Sequence, residues 1–501
     1  MKSFRQVEET RRAYHSDPTL NSVHRASLLV PEIEGSYAEI SFLNHFLIKR
    51  GYQLVACRVT AVNPDGGRIS SRLHPVDESR VYQIPLSGSV DGPVATWLVE
   101  FFSAENLFIP FPAVMVNHRG ANWLNTVHAY NRILNDVFED DEINTKQVAE
   151  ASIDVRLDDD HDTFLMFTAG PERCTGTLDI ELRAGAETMF AAPKLDVARL
   201  CHARVSLKSL FPGLGEVAGG VLKVHQPQQR MFYGRLFTGQ TDGNGALSAN
   251  HSFYDNSAIA EYWDNDAEAV RHYPLLPGLR SLVRFYPIMA PGTLEVTVEL
   301  CGVEGAVLAT QVAGEVSSPE GDMLEFDVNA MASEHGVADA ASAFVVRVRP
   351  NAGKTPMRVA HQVVYRDAGD NDALEASINL GLASTNVFTP EYKKGLAWGQ
   401  VATGQDIDGW LGFAWNHPHT EGGHVNIRFY NTTGLVAEES RDLPGRAALV
   451  FAPGELARIL GRPSNAFAPV WYEARAERPD LSAFTVAQHR ASRACSGEHN
   501  F

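Results

Sequence analysis

Missing from this chain of 501 residues is any apolar run near the roughly 18 residues that a membrane helix requires, although 44% of the residues are hydrophobic. Membrane insertion is therefore not expected, while that apolar fraction suffices for several buried cores. The opening MKSFRQVEETRRAYHSDPTLNSVHR has basic residues but no apolar core behind them, which argues against a secretory leader and for a cytoplasmic location. Cysteine is scarce. The five (Cys57, Cys174, Cys201, Cys301, Cys495) are scattered and show no CxxC pair, so reduced, buried thiols are expected rather than a disulfide frame or zinc ligands.

Basic charge is also short. Lys plus Arg number 43 against 61 Asp plus Glu, a net charge of −18, which opposes the phosphate attraction behind nucleic-acid binding. From Asp136 to Asp162 eleven carboxylates face only Lys146 and Arg156, so half of the acid excess lies in one segment. There is no GxSxG elbow, phosphate-binding GxxxxGK[ST] loop or HExxH pair, and no cofactor is implied. The glycines of FPGLGEVAGGVLKV (211–224) do not have dinucleotide-fingerprint spacing.

What the chain does have is alternation at period two. YQLVACRVTAV (52–62), TLEVTVELCGV (293–303) and HVNIRFYN (424–431) alternate apolar and polar residues between turn clusters such as NPDGG and NTTG. Half-buried antiparallel strands are the expectation. The fold class is all-β: tandem antiparallel β-sandwich units with short helical connections.

An internal repeat sharpens this reading. Stretches such as GALSANHSFYD (245–255) recur in four non-identical versions, each ending a set of alternating strands that opens around a hairpin. With Leu124, Leu247, Leu374 and Leu481 taken as equivalent, the separations are 123, 127 and 107 residues, which are domain-sized. The expected layout is an extension at 1–25, then β-sandwich units at 26–135, 150–256, 272–385 and 395–490. The tail SRACSGEHNF reads as peripheral, and short helices are expected at 4–14 and after residue 131.

The third unit, with VRFYPIMAPGTLEVTVEL and VAHQVVYRDAGDNDALEASINLGLAST, resembles the soluble sensory rhodopsin transducer family. The second unit, with FYGRLFTGQ and NGALSANHSFYD, matches nearly as well. The resemblance covers one unit at a time. It implies non-enzymatic sandwiches that assemble as tetramers, with relatives suspected of binding small sugars or protein partners. Four units in one chain would be a covalent version of that assembly. The first unit departs from the pattern at Trp123 and His128, and the fourth at AERPD.

Several residue groups invite chemistry. His251, a general-base candidate by type, has no matching histidine at the position aligned to it in every unit, so it reads as a structural strand histidine. WNHPHTEGGH offers His417, His419 and His424 as ligands for a divalent metal, since side chains two apart on an extended chain point the same way; the competing reading is a solvated hairpin. LDDDHD (157–162) lacks the glycine and spaced glutamate of a calcium loop and reads as a solvated linker. The polar strand before each last turn carries Arg119, Arg235, Gln240, Gln362, Arg366 and Arg475, which could line a shared groove for sugars or anions. Trp123, Tyr233, Phe237, Trp410 and Trp471 are expected to seal contacts between units.

Together these features describe a non-catalytic protein that binds a small sugar, an anion or a protein partner, or associates with itself. The alternative is a structural or assembly protein of a larger particle. A third reading is a metal-assisted sugar hydrolase using the histidines of the fourth unit.

Overall fold

The computed structural model describes residues 24–501 except 104–112, 134–148, 228, 230, 255–262, 265–267, 288–291, 318–321, 353–354, 357, 371, 385–394, 417–420, 462 and 464. In the first unit the strands are β1 (His24–Pro31), β2 (Tyr37–Leu43), β3 (Val55–Val62), β4 (Arg68–Pro75), β5 (Val81–Pro85), β6 (Thr96–Ser103), β7 (Met115–Arg119) and β8 (Leu124–His128). They form two antiparallel sheets of order β1-β6-β3-β4 and β5-β2-β7-β8. Alternate residues of each sheet point between the two layers, so β3 buries Val55, Cys57, Val59 and Ala61 beside Phe42, Trp97 and Phe101.

The same order recurs three times. In the second unit Ala149–Leu157, Val217–His225, Asp179–Ala184 and Glu187–Ala191 oppose His202–Ser206, His161–Thr168, Phe237–Asp242 and Leu247–His251. In the third, Ala269–Pro274, Ala341–Ala352, Thr293–Gly302 and Val307–Ser317 oppose Leu324–Asp327, Leu279–Phe285, Arg358–Asp367 and Ala376–Ser384, the two layers being joined at one edge. In the fourth, Leu396–Thr403, Ala468–Ala476, Gly423–Asn431 and Gly434–Leu443 oppose Ala448–Phe451, Ile407–Trp415, Leu481–His489 and Cys495–His499. The protein is thus all-β, with only short helices. One of these, Val328–Glu334, starts where Asp327 accepts a hydrogen bond from Ala330 N at 2.9 Å. Among the described residues no helix is long and apolar enough to cross a membrane. All five cysteines are buried and none forms a disulfide. The helix expected at 4–14 lies outside the described residues; where a helical connection is expected after residue 131, Asn131–Ile133 is instead a strand paired with Met231–Gly234, and 134–148 lie outside the described residues.

Two expectations about the repeat are corrected. The paired opening strands, such as β2 and β3, lie in opposite sheets rather than in one hairpin, because a sandwich needs chain crossings between layers as well as turns within them. In the fourth unit Leu481–His489 is the counterpart of β7, not of β8. It pairs with Ile407–Trp415 on one side and with Cys495–His499 on the other. The counterpart of Leu124, Leu247 and Leu374 is therefore Cys495, 121 residues beyond Leu374, which restores even spacing. The C-terminal residues are not peripheral, and the unit does not stop at 490.

Candidate functional site

The four last strands, Leu124–His128, Leu247–His251, Ala376–Ser384 and Cys495–His499, meet at the centre of the molecule; they are called seam strands below. Three of them are edges of their own sheets, while Ala376–Ser384 is paired on both sides; all lie against seam strands of other units, and even polar residues are buried: Asn125, Thr126, Ser248, Asn250, Ser496 and Glu498. Many of their polar groups are bonded across units, as burial favours. Thr126 N donates to Ser496 Oγ at 2.8 Å and His128 N to Glu498 Oε2 at 2.9 Å. Ala249 N donates to Asn125 Oδ1 at 2.7 Å, Asn379 Nδ2 to the His251 carbonyl at 2.5 Å, and Cys495 N to the Leu374 carbonyl at 2.8 Å. Gly497 packs closely, since a Cβ there would lie 3.0 Å from Ile378 Cδ1 and 3.1 Å from Ala376 Cβ.

Aromatic residues close the contacts around this seam. Phe237 of the second unit stacks on Tyr130 of the first, with ring centroids 5.2 Å apart. Trp471 of the fourth donates to Ser41 Oγ of the first at 2.9 Å, and Trp410 donates to the Pro277 carbonyl of the third at 3.0 Å. Trp123 is buried in the core of the first unit, and the Tyr233 side chain lies outside the described residues.

The polar strands do not make one groove. Gln240 and Gln362 both turn inward and donate to the Asp154 carboxylate, each at 3.0 Å. The space beside them is about 20 Å³, room for a water but not for a sugar. Arg284 completes this knot, 3.0 Å from Asp154 and 2.6 Å from Glu325, and in contact with Glu375. Burial raises the Asp154 carboxyl above its ordinary range. Burial would raise Glu375 too, but the Arg284 guanidinium outweighs it and holds that carboxyl low, with Arg366 adding to the effect. Arg119 bonds to Glu39 at 3.1 Å, Arg475 to Glu473 at 2.9 Å, and Arg235 donates to the Ser252 carbonyl at 3.5 Å. The shared groove is thereby corrected: these donors are engaged by acceptors at or beside the contacts between units, because carboxylates such as Asp154 and Glu39 are buried there and need them.

His417 and His419 lie outside the described residues. His424 is exposed and spans two strands, Nδ1 lying 2.9 Å from Asp442 Oδ1 and Nε2 2.5 Å from Ser440 Oγ. The acidic LDDDHD run is not a linker between units. It makes the tight turn between Ala149–Leu157 and His161–Thr168, where Asp158 Oδ1 accepts from Asp160 N at 2.9 Å and His161 N at 2.7 Å. That turn borders a cleft of about 920 Å³, lined also by Lys208, Phe211, Glu216, Asn244 and Asp372.

At the seam, His128, His251 and His499 converge from three units, with one ring nitrogen of each within 4.8 Å of the other two. Glu498 joins them, its Oε2 2.9 Å from His128 Nδ1. Burial would raise the Glu498 carboxyl, yet His128 and His499 beside it bring it down to about 2. Burial lowers His499 to about 4, and burial together with Arg235 and His128 lowers His251. Aligning the fourth unit on Leu481 hides this cluster. Aligned on Cys495, the segments LNTVH, LSANH and CSGEH place a histidine last in three of four seam strands.

Two further histidines make stability pH-dependent. His118 and His202 are brought near one another between the first two units, and burial lowers them to about 4 and about 3. A histidine whose folded pKa is depressed contributes fully above its unfolded value of about 6.5, and that contribution falls as pH drops toward the folded value. Between pH 7 and pH 5 each should cost roughly 2 kcal/mol. Denaturant unfolding at both pH values checks this, and a His118→Gln, His202→Gln chain should show a flatter slope; an unchanged slope would sink the assignment.

No protein-family model matches the chain, and no curated protein matches it. Among solved structures it is similar to the C-terminal domain of the Streptococcus pyogenes antigen I/II-family protein AspA, at 9% identity over 47% of this chain and 99% of that one, with a TM-score of 0.12. It is similar also to a tetra-tandem repeat from the extending region of a large adhesion protein, at 11% identity over 89% and 91%, with a TM-score of 0.08. A GH78 family rhamnosidase of Bacillus sp. GL1 aligns at 8% identity over 96% and 53%, with a TM-score of 0.12. Scores this low bear on neither fold nor function.

Proposed function

We propose that the protein is a non-catalytic binding and assembly protein, four transducer-like sandwiches fused into one body that joins other copies through its open sheet edges. One observation carries the reading. Each unit ends on its outer side in a strand with no sheet neighbour beyond it among the described residues: β4, Glu187–Ala191, Val307–Ser317 and Gly434–Leu443. Of the nine exposed large hydrophobic residues among the described ones, seven lie on these four strands: Ile69, Leu73, Phe190, Val307, Val312, Leu435 and Val436.

Open strands with exposed apolar side chains are templates for strand addition. Charge selects the pairing. β4 carries Arg68, Arg72 and His74 with no acid, whereas Gly434–Leu443 carries Glu438, Glu439 and Asp442 against Arg441. The basic edge of one copy therefore complements the acidic edge of another, a head-to-tail contact that extends into chains unless its rotation closes.

Sedimentation velocity over a range of concentrations tests this. Association that rises with concentration, weakens in high salt and is abolished in an Arg72→Glu, Leu73→Lys chain is the expected result. A monomer at every concentration and salt level would remove the assembly reading. A second reading, a small sugar in the 920 Å³ cleft, rests on its size and on Lys208, Asn244 and the carboxylates in its wall, which can bond hydroxyl groups. A thermal-shift screen tests it, with Lys208→Ala expected to abolish any shift.

A further inference from the structure

We propose that His128, His251 and His499 form a zinc site that clamps three of the four sandwich units together at the seam. The inference goes beyond the assembly reading and is independent of the outer edges.

The geometry carries it. Three imidazoles come from three separate strands and place one nitrogen each within 4.8 Å of the others. Tetrahedral zinc–nitrogen bonds of about 2.0–2.1 Å put the nitrogens about 3.3 Å apart, so zinc binding must draw the three rings inward. The Nδ1 side of every ring is already turned to an acceptor. His128 Nδ1 lies 2.9 Å from Glu498 Oε2, His251 Nδ1 lies 2.7 Å from the Ser252 carbonyl, and His499 Nδ1 lies 2.9 Å from the Asn500 carbonyl. At His251 and His499 the carbonyl on Nδ1 fixes the proton there and leaves Nε2 with a lone pair for metal, the usual outer-shell arrangement of zinc-bound histidine.

His251 adds an independent sign. Its side chain is 1% exposed and its Nε2 has no hydrogen-bond partner among the described residues, an expensive condition for a buried acceptor unless something else occupies it. Glu498 supplies negative charge, with Oε1 3.8 Å from His499 Nε2. Arg235, 3.0 Å from His251 Nδ1, opposes a cation; the nearby carboxylate offsets it. Three nitrogen ligands, one carboxylate and no thiolate suit zinc better than calcium or magnesium, which prefer oxygen.

The test uses the full chain and zinc alone. Equilibrium dialysis after chelator treatment should give one tightly held zinc per chain, and zinc should raise the melting temperature reversibly. His128→Gln and His499→Gln should each weaken zinc binding at least tenfold, whereas a His417→Ala, His419→Ala, His424→Ala chain should bind as the parent does. Because a seam variant could unfold, cobalt(II) is added to the parent protein as a second readout. It should give the intense visible bands of a four- or five-coordinate nitrogen site. Absence of stoichiometric zinc, cobalt spectra of the hexaaquo ion only, or zinc binding lost with the His417 group and kept in the seam variants would each overturn the proposal.

Discussion

A chain ending at Arg493 is expected to lose the fourth unit and the seam together, although it lacks only eight residues. The missing segment contains Cys495–His499, the edge strand paired with Leu481–His489. Cys495, Ser496 and Glu498 are each no more than 2% exposed, and Ser496 and Glu498 accept hydrogen bonds from the backbone of the first unit. Phe501 stacks on Trp471 with ring centroids 5.9 Å apart. Its removal uncovers a tryptophan whose burial is worth several kcal/mol.

Leaving the amides of Thr126 and His128 without acceptors adds about 1–3 kcal/mol each. The sum reaches the roughly 5–15 kcal/mol that stabilises a typical domain. Calorimetry should show loss of a cooperative transition or a drop in melting temperature of more than about 10 °C. A shortened chain that melts with the parent would mean that these residues are a dispensable tail.

That segment shows how far the sequence could be read. Period-two alternation made the strands of all four units visible, because a sandwich strand with one wet face must alternate. The seam strands break the rule. LSANH and CSGEH carry small and polar residues that resemble a solvent-facing edge, yet they are buried against other units. Burial between units leaves no periodic mark, so SRACSGEHNF looked peripheral and the histidine triad stayed hidden. The same cause misplaced the polar donors. Gln240 and Gln362 were recognisable as equivalent positions, but Asp154, the acceptor they share, lies about 86 residues before the nearer of them, beyond any local pattern.

Replacing Arg284 by Met should destabilise the contact between the second and third units by about 3–5 kcal/mol, the usual cost of stripping the counter-charge from a buried ion pair. Arg284 is only 8% exposed and serves Asp154, Glu325 and Glu375 at once. Glu375 keeps Arg366 and Arg156 beside it, whereas Arg284 is the cation that acts on Asp154. With the guanidinium gone, the Asp154 carboxyl should titrate still further above its unfolded value, so the folded state binds more protons than the unfolded one. Its deficit relative to the parent must then shrink as pH falls from 7 toward 5. An Asp154→Asn, Arg284→Met pair should lose less than the two single changes added together, since the uncompensated charge is removed with its partner. Urea unfolding of the four chains at both pH values decides it. A single-variant loss below about 1 kcal/mol, or additive losses, would show that water rather than Arg284 balances the buried acids.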